Sequence, residues 1–276
     1  MNLDQRNWSE LTEADRLRMI ELEGYFVVPD LLDPDHVTQL KTETAQLETQ
    51  AVDYSIHQQT RNDVQWTGGE LTRLIGHRPT LDILKSILGD DLVFSHYAYA
   101  RSEPGHPGIS LHTDGQPYGS RIFGYEGSVP VMIRVLYYLD DLTEQVSPFR
   151  VLPRSHLSLH ADGNPYLRYT KHPDEVTVTA KAGSALFLNH KVFHGSQPNV
   201  GDRPREMLAI AYRPTWAGPV GSIEEWQTEQ LESLPEDVHH LFLSRNTVRA
   251  DLEQGNKPAG MGSEAPGINL TRWGSK

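Results

Sequence analysis

Cysteine is absent from the 276 residues. Its absence excludes disulfides, thiolate nucleophiles, iron–sulfur clusters and cysteine-built zinc sites, and leaves any metal chemistry to His, Asp and Glu. No apolar run approaches the roughly 18–20 residues that a membrane span needs, so no membrane partner is expected. Cationic residues are in the minority: 25 Lys and Arg stand against 37 Asp and Glu, a formal net charge of -12. No Lys/Arg cluster offsets this locally, which argues against nucleic acid or anionic lipid and for a small-molecule partner. The opening residues, MNLDQRNWSELTEAD, carry no basic stretch followed by an apolar one, and the expected location is cytoplasmic.

What is present falls into sections of different texture. SELTEADRLRMIE, from Ser9 to Glu21, reads as a helix capped by Ser9 or Thr12, with acidic residues in its first turn. Tyr25 to Val28 is a short β-rich run ended by Pro29, and Asp33-Pro34 opens a second helix. Beyond about residue 90 come short β-branched and aromatic runs separated by turn residues: DLVFSHYAYA, GSVPVMIRVLYYL, PFRVLP, EVTVTA, SALFLN and EMLAIAYRP. That spacing suits an antiparallel sandwich or barrel, and VMIRVLYYL, apolar almost throughout, reads as a central strand buried on both faces. SIEEWQTEQLESL predicts one more helix before a Gly/Pro-rich tail. The expectation is one domain over 1–276: a helix-rich front section at about 9–90, a β core at 91–214, and a C-terminal helix and tail at 215–276.

Histidine and carboxylate pairing is the chemical signal. Two imidazoles and one carboxylate on one face of an octahedron form the donor set of mononuclear non-haem Fe(II) oxygenases, with the opposite face left open. A His-x-Asp on a strand supplies two donors on one side, because residues two apart share a face. Composition alone produces about two such pairs by chance, and the chain has three: His112/Asp114, His160/Asp162 and His172/Asp174. The latter two sit in turn-rich stretches with Gly, Asn or Pro. His112-Thr113-Asp114-Gly115 follows the strand-like ISL and lies far upstream of SALFLNHKVFHGS, which offers His190 and His194 as a third ligand. A helical His-x-x-x-His zinc site is disfavoured because Lys191 stands where the usual Glu would be. His194, in FHGSQPN, is the choice. Further on, Arg205 opens the strand in GDRPREMLAIAYRP, where a guanidinium can hold the distal carboxylate of a dicarboxylate beside the metal; a surface salt bridge is the alternative.

These residues resemble the phytanoyl-CoA dioxygenase family of Fe(II)/2-oxoglutarate-dependent oxygenases, from about Leu17 to Pro214. EGYFVVPDLLDPDHVTQLK is similar to the family's amino-terminal entry, SLHTD to its first ligand pair, and KAGSALFLNHKVFHGSQPNVGDRPREMLAIAYRP to its second-ligand block. The resemblance implies a mostly β fold with flanking helices, a cupin-like double-stranded β-helix or jelly roll. It implies Fe(II) on His112, Asp114 and His194, with 2-oxoglutarate and O₂ as cosubstrates. It further implies Arg205 as the anchor of the 2-oxoglutarate C5 carboxylate, Ser196 as its hydroxyl helper, and Tyr97 as a cosubstrate contact. Ser147-Pro148 and Arg154 depart from the family, standing where relatives often carry Asn-Gly and Gly.

The implied reaction is hydroxylation of a C–H bond of a small metabolite, with release of succinate and CO₂; related halogenases replace the carboxylate that Asp114 keeps. Arg134, a charge inside the apolar run VMIRVLYYL, shares strand parity with Leu136 and Tyr138 and is a candidate for an anionic substrate group or for a structural ion pair. Gln116, Tyr118 and Arg121, just past the ligand pair, are expected at the pocket mouth. The competing reading is a cupin-like metal-dependent hydrolase or isomerase that uses the same triad without 2-oxoglutarate. A vestigial binding module is a third.

Overall fold

Reciprocal capping starts the first helix. Thr12 Oγ1 accepts from the backbone N–H of Asp15 at 3.2 Å, and Asp15 accepts from that of Thr12 at 3.1 Å. Helix α1 therefore spans Glu13–Leu22, and Ser9 belongs to a short 3-10 turn before it. The computed structural model describes residues 1–112, 132–157, 172–215, 217 and 225–242. Strand β1 (Tyr25–Val28) follows, then α2 (Pro34–Thr44), whose first turn is capped by Asp33 accepting from His36 N–H at 2.8 Å. A hairpin of β2 (Gln50–Val52) and β3 (Ser55–Asn62) comes next, then helices α3 (Gly69–Arg73) and α4 (Arg78–Leu88).

The remaining strands are β4 (Leu92–Ser102), β5 (Ile109–His112), β6 (Ile133–Tyr138), β7 (Phe149–Val151), β8 (Val176–Val178), β9 (Ala185–Asn189), β10 (His194–Ser196) and β11 (Arg205–Pro214). The helix expected around SIEEWQTEQLESL is reduced, within the described residues, to α5 (Thr228–Glu232), with α6 (Glu236–His239) behind it. The Gly/Pro-rich tail lies outside the described residues. No helix among the described residues is long and apolar enough to cross a membrane.

Two antiparallel sheets face one another. The larger runs β1-β9-β6-β11-β4-β3-β2 and the smaller β5-β10-β7-β8. This is the double-stranded β-helix, a jelly roll with helices on the outer face of the large sheet. The section expected to be helix-rich in fact contributes β1 to one edge of that sheet and β2 and β3 to the other.

Period-2 alternation sorts the large sheet's side chains between two cores. Phe94, Tyr97, Val135, Tyr137, Phe187, Leu208 and Ile210 pack outward against Leu40, Leu71 and Leu84 of the helices. Tyr25, Val27, Leu136, Leu186 and Leu188 point inward to Phe149, Val151 and Val178 of the small sheet. Strand β6, between β9 and β11, is covered on both sides, which is why its sequence lacks alternation.

One polar chain crosses the helix-side core. Tyr137 O–H donates to Thr80 Oγ1 at 2.8 Å, and Thr80 Oγ1 lies 2.9 Å from His77 Nδ1. The Thr80 hydroxyl, with one proton and two lone pairs, thus bridges the tyrosine and the imidazole. Burial pushes His77 down to about 4; nearby His36 acts in the same direction and Asp33 opposes it. The unfolded chain binds that proton near the ordinary histidine value and the folded chain only near 4, so stability falls as pH drops from about 6.5 toward 4. The thermal midpoint of the wild type is expected to decline across that window, and that of His77→Gln less steeply. Identical slopes would show that His77 does not contribute.

Candidate active site

Strands β5 and β10 pair so that His112 and His194 stand directly opposite, with ring centroids 4.4 Å apart. Each Nδ1 lies 2.9 Å from a backbone carbonyl two residues back, Ser110 for His112 and Val192 for His194. A carbonyl only accepts, so Nδ1 carries the proton and Nε2 holds the lone pair, the tautomer in which imidazole binds a metal. The Phe149 ring stacks on that of His194 at 5.8 Å and 23° and limits its rotation.

Gly195 makes the pairing possible: a Cβ there would lie 2.2 Å from the Ile109 carbonyl oxygen, so any larger residue would push β5 and His112 away. In the sequence this glycine carries only a turn signal. Asp114, two residues past the end of β5, lies outside the described residues, as do Gln116, Tyr118 and Arg121. Among the described residues no group of three or more His, Asp or Glu is placed to hold a metal.

A cavity of about 320 Å³ opens beside the pair, lined by both histidines, Ser196, Arg205 and Arg134. It exists because small residues face inward where strands β3, β4 and β11 meet. Ala100 stands between Thr60 and Met207 across the sheet, and Ala98 between Asn62 and Ala209. Toward β1 and β9 the same interior is filled by Tyr25, Val27, Leu186 and Leu188. The β2–β3 hairpin supplies a wall of Tyr54, Gln58, Thr60 and Asn62, which sequence reasoning missed entirely.

Arg205 is buried, at 2% exposure, so the surface-salt-bridge alternative does not apply. Its Nη2 donates to Ser102 Oγ at 2.9 Å, while Nε and Nη1 have no hydrogen-bond partner among the described residues. Ser196 Oγ is also buried without one. Each unsatisfied buried donor costs about 1–3 kcal/mol, more when charged, so these groups fit an anionic occupant of the cavity. Burial lowers the Arg205 pKa, but a guanidinium keeps its charge at any ordinary pH.

The other predicted residues divide. Arg134 reaches the cavity on the same face as Leu136 and Tyr138, as its parity predicts. Tyr97 is not brought to it: on β4 the alanines 98 and 100 face inward, and Tyr97 is wholly buried in the helix-side core. His190 is buried against the Met132 carbonyl, 3.1 Å from Nδ1, and does not line the cavity. His172 accepts from the backbone N–H of Asp174 at 3.1 Å in a turn, and His160 and Asp162 lie outside the described residues.

Ser147 lines the cavity too, buried and held at φ 44°, and Arg154 sits at φ 67° with its guanidinium 2.6 Å from Glu23. Both are left-handed positions, which Gly and Asn adopt at lower cost than other residues.

A jelly roll with facing histidines and a buried arginine turned into the same hollow is the architecture of non-haem iron, 2-oxoglutarate-dependent oxygenases. The chain belongs to the phytanoyl-CoA dioxygenase (PhyH) family, whose sequence model matches residues 20–207. It is similar to an ectoine dioxygenase of Nocardia farcinica (strain IFM 10152), 22% identical over 248 residues that cover 76% of this chain and 80% of that one. Among solved structures, HygX from Streptomyces hygroscopicus with nickel and 2-oxoglutarate bound has a TM-score of 0.64 at 16% identity, covering 80% of this chain and 94% of that chain. The non-haem α-ketoglutarate-dependent epimerase SnoN from nogalamycin biosynthesis has a TM-score of 0.63 at 19% identity, covering 76% and 84%. At these identities the likeness to solved structures shows the fold.

Filling the hollow tests its role. Ala100→Leu places a branched side chain between Thr60 and Met207 on the cavity face, where there is space for it. It is expected to abolish binding of 2-oxoglutarate or substrate while moving the thermal midpoint by only a few degrees, about 1 kcal/mol or less. Unchanged binding of both would mean that the cavity is not the ligand site.

Proposed function

We propose that this protein is an Fe(II)- and 2-oxoglutarate-dependent dioxygenase that hydroxylates a C–H bond of a small, anionic metabolite, releasing succinate and CO₂. The observation that carries the reading is Arg205, a buried cation with unsatisfied donors turned into the cavity that the histidine pair borders. His112, His194 and Asp114 would hold the iron. Bound there with 2-oxoglutarate and O₂, the metal supplies the oxidising chemistry.

The protein's own contribution is binding, orientation and exclusion of water. Arg205 takes the distal carboxylate of 2-oxoglutarate through charge-assisted hydrogen bonds, each worth about 1.5–3 kcal/mol, and Ser196 adds its hydroxyl. The carbonyl contacts of Ser110 and Val192 fix both imidazole planes before any ligand arrives. Arg134, which lines the cavity from β6, is assigned to an anionic group of the substrate; Gln116, Tyr118 and Arg121 are proposed as further substrate contacts. The reading treats 1–276 as one domain, supported by strands of the front section completing the large sheet. A cupin-like hydrolase or isomerase remains the competing reading, and nothing in its chemistry calls for Arg205.

Decarboxylation is the assay. Wild-type protein with Fe(II), ascorbate and O₂ is expected to convert 2-oxoglutarate to succinate, faster when a panel of small anionic metabolites contains the substrate, and His194→Ala is expected to fall to background. Arg134→Leu should reduce apparent substrate affinity about tenfold to a hundredfold, matching loss of one charge-assisted contact. No succinate from the wild type would refute the class; equal substrate affinity in Arg134→Leu would remove that residue from the substrate site.

A further inference from the structure

Three buried polar residues form one rung across the large sheet. Gln58 of β3 pairs with Ser102 of β4, and Ser102 pairs with Arg205 of β11. Their exposures are 1%, 0% and 2%, so none of them is held there by water. The hydrogen bonds along this rung have only one possible direction. Arg205 has donors alone, so Ser102 Oγ must accept from Nη2 at 2.9 Å. The serine's single proton then needs another acceptor, and Gln58 Oε1 takes it at 2.5 Å. Asn199 fastens the rung from behind: its Nδ2 donates to the backbone carbonyl of Ser102 at 2.9 Å and to that of Arg203 at 3.0 Å, tying the end of β4 to the turn that enters β11.

We propose that Gln58 and Ser102 are positioning residues that set the rotamer of Arg205 and so determine how tightly, and how selectively, the distal carboxylate of 2-oxoglutarate is held. The proposal rests on the reading of Arg205 as the 2-oxoglutarate anchor. An arginine side chain loses much rotational freedom when fixed, and a buried guanidinium without this support has several alternative directions. Gln58 matters although it is one residue removed: without an acceptor for its proton, Ser102 is no longer locked as the acceptor for Arg205. Ser102 thus acts directly on the guanidinium, and Gln58 acts through Ser102.

The test compares two ligands in anaerobic calorimetric titrations of the Fe(II)-loaded full chain: 2-oxoglutarate, and 2-oxopentanoate, the same oxo acid without the distal carboxylate. Ser102→Ala is expected to weaken 2-oxoglutarate about tenfold, the loss of one hydrogen bond to a charged group, Gln58→Met to weaken it about threefold to tenfold, the loss of one neutral hydrogen bond, and both to leave 2-oxopentanoate unchanged. Ser102→Thr, which keeps the hydroxyl, is expected to restore the wild-type preference. Equal weakening of both acids would mean general damage to the sheet and overturn the proposal, as would no weakening of either. Arg205→Ala separates the two levels. If it too leaves the preference intact, the anchor reading fails; if it abolishes the preference and the Ser102 and Gln58 variants do not, the relay alone fails. Gln58→Met reads the same relay independently should Ser102→Ala not fold.

Discussion

The close approach of β5 to β10 at Gly195 is the contact on which the rest of the site depends. It sets His112 opposite His194, and the same three-residue strand carries Ser196 to the cavity wall. A register change of one residue in either strand would turn one of these histidines to the opposite face, because strand side chains alternate. The bulge, where β5 spends an extra residue, lets Ile109 and His112, three apart, both line the cavity opposite Ser196 and His194. The two carbonyl contacts at Nδ1 then convert a backbone geometry into a fixed imidazole tautomer.

A hollow beside that pair is costly, since inward alanines forgo the burial that leucines would contribute, at ~0.8 kcal/mol per methylene. The sheet offsets this on its other face, where Phe94, Tyr97, Tyr137, Phe187 and Tyr212 are almost fully buried against the helices. The inner face is thereby divided, with a packed end at β1 and β9 and an open end at β3, β4 and β11. Arg205 and Arg134 both line the open end.

Strands with a buried apolar face were legible in the sequence. The sequence run Tyr25–Val28 coincides with β1; β6 and β9 fall within recognised runs, and β4 and β11 overrun theirs, β4 by Arg101 and Ser102 and β11 by Arg205. The β2–β3 hairpin was not, because QAVDYSIHQQTRN has one face in a polar cavity and the other near solvent, which leaves no hydrophobic alternation to detect. HYAYA illustrates a different limit: its alternation is plain, but nothing in the sequence says whether the tyrosines or the alanines meet the ligand. Arg205 was legible from its place after FHGS. Its supports were not, since Ser102 stands 103 residues away in sequence and Gln58 another 44. The left-handed backbone at Ser147 and Arg154 was visible only as a departure from the family's Asn-Gly and Gly.

The central claim is that the two facing imidazoles, completed by Asp114, hold an iron that 2-oxoglutarate chelates beside Arg205. Anaerobic titration of Fe(II) and 2-oxoglutarate into the protein, followed in the visible region, tests it most directly, because the chelate gives a weak metal-to-ligand charge-transfer band only when both bind at one site. The account predicts that band in the wild type and its loss in His112→Ala, Asp114→Ala and His194→Ala. A wild type without the band, or a band undiminished in those variants, would contradict it.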